Sequence, residues 1–236
     1  MMGEKDDSRI EFIQFHQSYS YEDFIMGYRP NESGSFDLQE GVFYRFCATA
    51  RSDPDRDYFF IIDEINRGNL SKIFGELLML IEKDYRNETV TLAYRDEQFS
   101  VPENLYIIGM MNTADRSLAM IDYALRRRFS FFEMDAGFTS EGFKKYSDSL
   151  KNSVFDSLIS LIIQLNNAIE NDSSLGKGFC IGHSYFCNLT AETCTTSRMR
   201  SIVEYDIVPL LSEYWFDDKD TLKKWSDKLR GVFHDE

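Results

Sequence analysis

The sequence predicts an α/β fold in which a parallel β-sheet with flanking helices is followed by a small helical subdomain. Three continuous apolar runs are typical of strands, at residues 58–63, 105–112 and 129–134, and residues 9–15 form a further strand candidate. Such runs indicate strands that are buried on both faces, because helices cover both sides of a parallel sheet. Between the runs, and along most of the chain after residue 138, apolar residues recur at helical spacing.

Composition limits the classes of protein to which the chain can belong. Its 236 residues are 43% hydrophobic, which is enough for one large or two small globular domains. Lys and Arg number 26 against 40 Asp and Glu, a formal charge of −14, and this charge disfavours direct, nonspecific contact with DNA phosphates. We expect a cytoplasmic protein, because the sequence has neither an apolar run of about 18 residues nor an apolar leader at its start.

The four cysteines, Cys47, Cys180, Cys187 and Cys194, are neither dense nor paired at close spacing. A disulfide framework is therefore not expected. The last three recur at seven-residue intervals near His183. Zinc sites usually contain closer cysteine pairs, so we expect ordinary or buried thiols.

The first half of the chain alternates strand and helix signals. After the strand at 9–15, a short helix is predicted to open near Ser20, and the turn-rich residues 31–35 follow. Apolar residues at helical spacing predict a helix over 41–51, and the polar residues 52–57 end it before the next strand.

The strand at 58–63 is followed by one face of a helix of about four turns, predicted over residues 70–81. Residues 89–101 read as a β-hairpin with a mixed-charge tip at 95–98, inserted before the strand at 105–112. Two roles are possible for this hairpin: a surface feature without a function, or a contact with a partner subunit.

Polar side chains end two of the predicted strands. Asp63 ends the run at 58–63 and Glu64 follows it, and Asn112 ends the run at 105–112. The carboxyl ends of parallel strands form the ligand-binding edge of a sheet. Phosphoryl-transfer sites need one acid to hold Mg²⁺ and another group to polarise water. Asp63 and Glu64 suit those two roles, although solvated acids at a strand end are the simpler reading of this pair alone.

Asn112 and a run of arginines extend the same interpretation. A neutral amide can bond a γ-phosphate oxygen and a water without adding negative charge. Arg126, Arg127 and Arg128 directly precede the predicted strand at 129–134, and a guanidinium is suited to phosphoryl charge. The alternative for Asn112 is an ordinary turn residue, and the alternative for the three arginines is a solvated basic turn.

Four segments together resemble one family. Residues 15–30, 59–82, 101–131 and 176–186 are similar to the McrB-type AAA+ GTPases, the nucleotide-hydrolysing subunits of modification-dependent restriction endonucleases. The resemblance spans about residues 9–230. It implies an AAA+ P-loop NTPase-like core at 1–137, a helical lid subdomain at 138–236, a homo-oligomeric ring that is a hexamer, and an McrC-like endonuclease partner. It also implies Mg²⁺ with GTP in preference to ATP.

The resemblance assigns catalytic roles where the motifs coincide. Asp63 matches the magnesium ligand, Glu64 the water-activating acid, and Asn112 the sensor residue. Arg127 and Arg128 match the arginine fingers that reach the nucleotide of a neighbouring subunit.

The remaining implied residues contact or order the nucleotide site. Thr113 and Ala114 complete the loop after Asn112, and the cofactor-binding residues implied beside Asp63 are Asp115, Arg116, Asp122 and His183. Asp122 is expected to help order that loop, and His183 lies where the lid approaches the nucleotide.

The phosphate-binding loop of the family is missing. Its pattern, G-x-x-x-x-G-K-S/T, does not occur, and the single Gly-Lys pair, Gly176-Lys177, is followed by Gly178. In the family this loop precedes the strand at 9–15, in a sheet of order 5-1-4-3-2. We therefore expect unpaired edges on the strands at 105–112 and 129–134, a DNA-reading domain elsewhere, and no activity of this chain alone.

Three functions remain open. The first is an McrB-like motor module whose complete form hydrolyses GTP to drive an endonuclease on modified DNA. The second is a noncatalytic interaction subunit that supplies arginine fingers in trans. The third is an ATP-dependent AAA+ remodeller, since the preference for GTP follows from the resemblance alone.

Overall fold

The computed structural model describes residues 6–112 and 126–233. The chain divides into two compact units, Met1–Phe131 and Phe132–Glu236. The boundary expected at 137/138 stays a prediction. Every helix among the described residues is too short or too polar to span a lipid bilayer.

The described secondary structure follows the order expected of an α/β unit and then a helical unit. The strands are β1 (Ile10–Gln14), β2 (Met26–Pro30), β3 (Phe36–Glu40), β4 (Tyr58–Asp63), β5 (Val90–Thr91), β6 (Gln98–Phe99) and β7 (Leu105–Gly109). The α-helices are α1 (Tyr21–Phe24), α2 (Val42–Ser52), α3 (Leu70–Phe74), α4 (Glu141–Leu150), α5 (Ser153–Glu170), α6 (Thr196–Ile202), α7 (Val208–Tyr214) and α8 (Lys219–Gly231).

The central sheet of the first unit is parallel, with the order β1-β4-β7. Phe60 and Ile62 of β4 are fully buried on one face, in a core that also contains Phe43 of α2 and Phe74 of α3. The parallel sheet and its flanking helices confirm the predicted fold class.

The opposite face of this sheet is apolar and open. Phe12 of β1 is 57% exposed, and Tyr106 and Ile108 of β7 are 48% and 44% exposed. They lie in the same rows as Phe59 and Ile61 of β4, because the register pairs Phe12 with Ile61 and Tyr106 with Phe59. Parallel sheets are normally covered on both faces, and the described residues cover one.

The prediction of a strand at residues 129–134 is wrong. These residues have no strand conformation, and Phe132 and Met134 are 88% and 84% exposed. An apolar run forms a strand only where a neighbour completes its hydrogen-bonded ladder. Among the described residues, the sheet consists of β1, β4 and β7, and no ladder includes 129–134.

The helix predicted over 70–81 is shorter than expected. α3 ends at Phe74, and residues Gly75–Leu78 continue as a 3-10 helix. Gly75 has φ 52°, and a Cβ there would lie 3.0 Å from the ring of Tyr21. Tyr21 also donates a 2.6 Å hydrogen bond to Glu76. The close approach of α1 thus requires a glycine conformation that ends the α-helix.

The hairpin predicted at 89–101 is confirmed by the antiparallel pair β5-β6. Its tip packs against the unit: the Tyr44 hydroxyl donates to Glu97 at 2.8 Å, and Arg95 pairs with Glu40 at 3.3 Å. A second antiparallel hairpin, β2-β3, occurs where a loop and a turn were expected. The helix near Ser20 is confirmed, with a capping box between Ser20 and Asp23.

The second unit consists of α4 to α8 around its own core. The longest helix, α5, holds the glycine-rich segment at 176–182 through Asn166. The side-chain amide of Asn166 donates to the Ile181 carbonyl at 2.9 Å, and its oxygen accepts from the Ile181 N–H at 2.6 Å. Both functional groups of this buried amide are therefore satisfied.

Candidate functional site

The acidic pair lies at the carboxyl edge of the central sheet. Asp63 is the last residue of β4, and the register places Gln14, the last residue of β1, opposite it. The Gln14 amide donates to one Asp63 oxygen at 3.4 Å, and the Glu64 N–H donates to the other at 3.0 Å. Parallel pairing thus brings a carboxylate and a neutral amide together at this edge.

Glu64 has an unusual backbone conformation. Its φ of 50° and ψ of 42° are left-handed, a region that costs a residue with a Cβ about 1–2 kcal/mol. The following residues Ile65–Arg67 form a 3-10 turn, and the Ile65 N–H donates to the Met110 carbonyl at 3.0 Å. This bond ties the turn to the chain that leaves β7. Strained backbone of this kind is concentrated at functional sites.

The Glu64 side chain faces a cation from its own turn. Its Oε2 lies 3.1 Å from the Arg67 Nε, and the Glu64 side chain is only 18% exposed. The Oε2 atom is buried and makes no hydrogen bond of good geometry within the described residues. The contact with Arg67 is therefore mainly an ion pair. In the same turn, the Asn66 side-chain oxygen is also buried without a hydrogen-bond partner among the described residues.

Asn112 lies three residues beyond the end of β7, at the same edge as Asp63. The strand predicted at 105–112 ends earlier, at Gly109, and one more ladder bond joins the Met110 N–H to the Ile62 carbonyl at 2.8 Å. Asn112 is exposed. Thr113, Ala114, Asp115, Arg116 and Asp122 lie outside the described residues.

The predicted arginine fingers have different surroundings. Arg127 is exposed, as is Arg126. The Arg128 side chain is 16% exposed, and its Nε lies 2.9 Å from Oε1 of Glu82. Arg128 is therefore engaged within its own unit, and Arg127 is the predicted finger that is open to solvent.

His183 belongs to the second unit and contacts the segment through which the chain enters α4. Its Nδ1 accepts a hydrogen bond from the Gly137 N–H at 3.0 Å. Its ring meets those of Phe138 and Phe143 edge-on, with centroids 6.2 and 6.0 Å away. In this structure His183 therefore stabilises the segment that leads into α4, at the start of the second unit.

The residues at the sheet edge fit a magnesium ion. Mg²⁺ usually keeps several waters and binds through one or two carboxylates plus substrate phosphates. Asp63 supplies one carboxylate, and the described residues contain no group of three His, Cys, Asp or Glu side chains that would form a complete protein cage. The Asn66 side-chain oxygen, which is buried without a hydrogen-bond partner among the described residues, would be a further polar acceptor for a metal-bound water.

Three residues at or near the site are not evident from the sequence pattern. Gln14, Arg67 and Glu82 become relevant only through strand register, a tight turn and a side-chain contact across the unit. The sequence offers a partial signal for Gln14, because it is a polar amide residue next to the end of the strand predicted at 9–15. Nothing in the sequence indicates that Glu82 faces Arg128.

Comparison with family models gives two matches. Residues 4–129 match the AAA domain of the dynein-related subfamily, and residues 157–223 match the α-helical lid domain of McrB. These matched segments contain the sheet edge and most of the second unit, respectively.

Two curated relatives are restriction-enzyme components. The chain is 52% identical over 241 residues to the Escherichia coli (strain K12) type IV methyl-directed restriction enzyme EcoKMcrB subunit, covering 98% of this chain and 52% of that protein. It is 26% identical over 181 residues to the Bacillus subtilis (strain 168) type II restriction enzyme BsuMI component YdiS, covering 60% of this chain and 52% of that protein. The chain thus spans about half the length of each relative.

A solved structure of a protein described as an ATPase from Cytophaga hutchinsonii matches with a TM-score of 0.34 and 16% identity, over 69% of this chain and 52% of that chain. This likeness is too low to support an argument about function. The family matches carry the assignment, because the AAA model covers more than half of the 236 residues. The chain belongs to the AAA family, in its dynein-related subfamily, and is an McrB-type AAA+ protein with a helical lid domain.

Proposed function

We propose that this chain carries the water-activating part of an McrB-like nucleotide hydrolysis site. The observation that carries the proposal is the sheet edge itself, where Asp63 ends β4 and Glu64 follows it, beside the chain that leaves β7. The site would act on GTP, with ATP as the alternative, and with Mg²⁺. A bound Mg²⁺ would neutralise charge on the phosphates.

Each side chain at this edge has a distinct task. Asp63 would hold the metal, positioned by the Gln14 amide and the Glu64 N–H. Glu64 would accept a proton from the attacking water, and for this it must leave Arg67. Asn112 would hold the water or a phosphate oxygen with its amide, which adds no charge to an anionic site.

The assembly would be a ring, proposed as a hexamer, in which each site is completed by a neighbouring copy. The support for this is Arg127, which has an exposed side chain at the start of the described range 126–233. A finger in trans stabilises the charge that develops on the transferring phosphoryl group. Arg128 would contribute only if its pair with Glu82 opens.

The whole protein would work with an endonuclease of the McrC type. Both curated relatives are components of restriction enzymes, and such enzymes act on DNA. This chain has a formal charge of −14, so DNA would be reached through other domains or subunits.

A second candidate is a noncatalytic subunit that offers Arg127 to an intact neighbour. It is supported by the exposure of Arg127, because a guanidinium that is open to solvent can reach a neighbour's nucleotide whether or not its own chain binds one. A third candidate, an ATP-dependent remodeller, differs from the GTP-hydrolysing module in preferring ATP and from the noncatalytic subunit in binding a nucleotide at all.

Equilibrium titration with fluorescent GTP and ATP, with and without Mg²⁺, separates these functions. Binding that requires Mg²⁺ and is lost in Asp63→Ala supports a nucleotide site in this chain. The ratio of the two affinities then distinguishes the GTPase from the remodeller. Absence of binding by the folded chain supports the noncatalytic subunit.

The trans role is tested by adding this chain to an intact full-length McrB-type subunit and measuring nucleotide turnover. The wild-type chain should change turnover, and Arg127→Ala should abolish that effect, since loss of a finger costs about 10³–10⁵ in rate. Arg126→Ala is the matched control, because Arg126 is also exposed and carries the same charge. Equal results for the two variants would contradict the assignment of Arg127.

A further inference from the structure

The second unit contains an open groove between α7 and α8, with a volume of about 540 Å³. Both helices line it, together with the connection between them. The lining residues are Val208, Ser212, Phe216, Lys219, Leu222, Lys223, Ser226, Asp227 and Arg230. None of the residues of the sheet edge belongs to this groove, so it serves neither metal binding nor water activation.

The groove has an apolar floor that solvent reaches. Val208 and Leu222 are partly buried, and Phe216 is 75% exposed. One exposed aromatic residue is ordinary on a protein surface. Here Phe216 lies beside two further apolar side chains in a concave site, which is the arrangement that accepts an apolar anchor from a partner.

The rim of the groove is basic, although the chain as a whole is acidic. Lys219, Lys223 and Arg230 line it with a single carboxylate, Asp227. Arg230 is already neutralised, because its Nε and a terminal nitrogen each donate to Glu204 at 2.7 Å. Lys219 and Lys223 are exposed, and no ion pair involves either of them within residues 126–233. They are available to an anionic partner.

The walls of the groove are held in place. The bidentate Arg230–Glu204 pair joins α8 to the π-helical segment Val203–Ile207, which leads directly into α7. Trp225 and Leu229 bury the opposite side of α8 in the core. π-Helical turns are rare and are frequent at functional sites. A preformed groove costs a ligand less ordering than a flexible surface.

The surrounding charges distinguish between two kinds of anionic partner. Four carboxylates are exposed on the same two helices and their connection, Glu213, Asp217, Asp218 and Asp220, and α8 also exposes Lys224 and Lys228. These carboxylates would repel the extended phosphate backbone of a nucleic acid. A short segment with a few carboxylates and an apolar side chain can instead place its charges on Lys219 and Lys223 alone.

We infer that this groove is a docking site for an acidic amphipathic segment of a partner protein. One or two apolar side chains of that segment occupy the space between Phe216 and Leu222, and its carboxylates face Lys219 and Lys223. The inference goes beyond nucleotide hydrolysis and does not depend on it, because neither Asp63 nor Arg127 takes part.

Fluorescence anisotropy with a labelled model peptide tests the inference on the full chain. The probe is a helical peptide of Leu and Glu at helical spacing, and a peptide with Lys in place of each Glu is the matched probe. We expect saturable binding of the acidic peptide and at least about 10-fold weaker binding of the basic one, equivalent to about 1.4 kcal/mol.

Three variants locate the site. Lys219→Glu with Lys223→Glu, and separately Phe216→Ala, should each weaken binding of the acidic peptide by at least about 10-fold. The double variant Lys144→Glu with Lys145→Glu makes the same charge change at exposed positions on α4 and should leave binding within about 2-fold. All the substituted side chains are exposed, so the variants should keep the wild-type circular dichroism spectrum.

Several results would overturn the inference. One is a lack of saturable binding by the wild-type chain, and another is equal weakening by the α4 control. Displacement of the peptide by a single-stranded DNA oligonucleotide at similar concentration would show that the rim recognises negative charge in general, and this too would reject an acidic protein segment as the partner.

Discussion

The guanidinium of Arg67 lies 3.1 Å from the carboxylate of Glu64, and both belong to the single turn that follows β4. The proposed base is therefore paired with a cation, in a left-handed backbone conformation, next to the proposed metal ligand Asp63. The ion pair occupies the carboxylate oxygen Oε2 that would otherwise face the attacking water. Hydrolysis would require that this pair separates when substrate is in place.

The strain at Glu64 predicts that Glu64→Gly stabilises the chain. Glycine adopts a φ of 50° without steric cost, whereas other residues lose about 1–2 kcal/mol. The loss of a partly exposed ion pair offsets about 0–1 kcal/mol of this gain. We expect the free energy of unfolding in urea to rise by about 0.5–1 kcal/mol.

Glu64→Gln is the control for that measurement. It removes the charge and keeps the Cβ, so the backbone strain stays. It should not raise the free energy of unfolding. If Glu64→Gly and Glu64→Gln change stability equally, the left-handed conformation at Glu64 is not a source of strain.

Arg127 and Arg128 should differ in their effect on stability. Arg128→Ala removes a side chain that is 16% exposed and paired with Glu82 at 2.9 Å, so we expect a loss of about 1 kcal/mol. Arg127→Ala changes an exposed side chain and should stay within about 0.5 kcal/mol of wild type. Urea unfolding measures both, and a larger loss for Arg127 would contradict the structural difference between them.

The contact between Gly137 and His183 predicts that Gly137→Ala destabilises the second unit. A Cβ at Gly137 would lie 3.0 Å from the His183 ring and would disturb the hydrogen bond to Nδ1. We expect a loss of about 1–2 kcal/mol. The chain has two tryptophans, Trp215 and Trp225, and both lie in this unit, so their fluorescence reports its unfolding.

Gly142→Ala is the matched control in the same unit. Nothing lies within 4 Å of a Cβ at Gly142, and this residue is exposed on α4. Alanine is favoured over glycine in a helix by about 1 kcal/mol, so stability should stay or rise. A loss at Gly142 equal to that at Gly137 would reject the His183 contact as the cause.

Acid should weaken the second unit in part through Asp172. Its carboxylate accepts hydrogen bonds from the Trp215 indole N–H at 2.9 Å and from the Ser174 N–H at 2.8 Å. The Trp215 bond is the largest cause that lowers the pKa of Asp172 to about 2. Because the pKa is lower in the folded state than in the unfolded chain, the stabilisation is complete above about pH 4 and is lost as the pH falls towards about 2.

Asp172→Ala tests this pH dependence. The difference in stability between the variant and wild type should be greatest above about pH 4 and should shrink as the pH falls towards about 2. Tryptophan fluorescence during urea unfolding at several pH values measures the difference. A destabilisation that does not vary with pH would mean that Asp172 stabilises the unit through packing and not as a carboxylate.

Much of the fold follows from apolar periodicity. The runs that became β1, β4 and β7 and the helices α2 and α5 were predictable, because burial on two faces or on one helical face selects residues at fixed spacing. The hairpin β2-β3 was missed, since its exposed positions, such as Tyr28 and Phe36, carry no alternating pattern. The strand at 129–134 failed for a related reason, because a strand also depends on its neighbour.

The sequence by itself determined the fold class, the family and the residue types at the sheet edge, because these depend on local patterns and on motif spacing. Only the tertiary structure decided that Glu64 pairs with Arg67, that Arg128 faces Glu82 while Arg127 is open, and that α7 and α8 leave a groove. Those contacts depend on backbone geometry and on the packing of distant segments. Interactions of that kind leave no periodic signal in the chain.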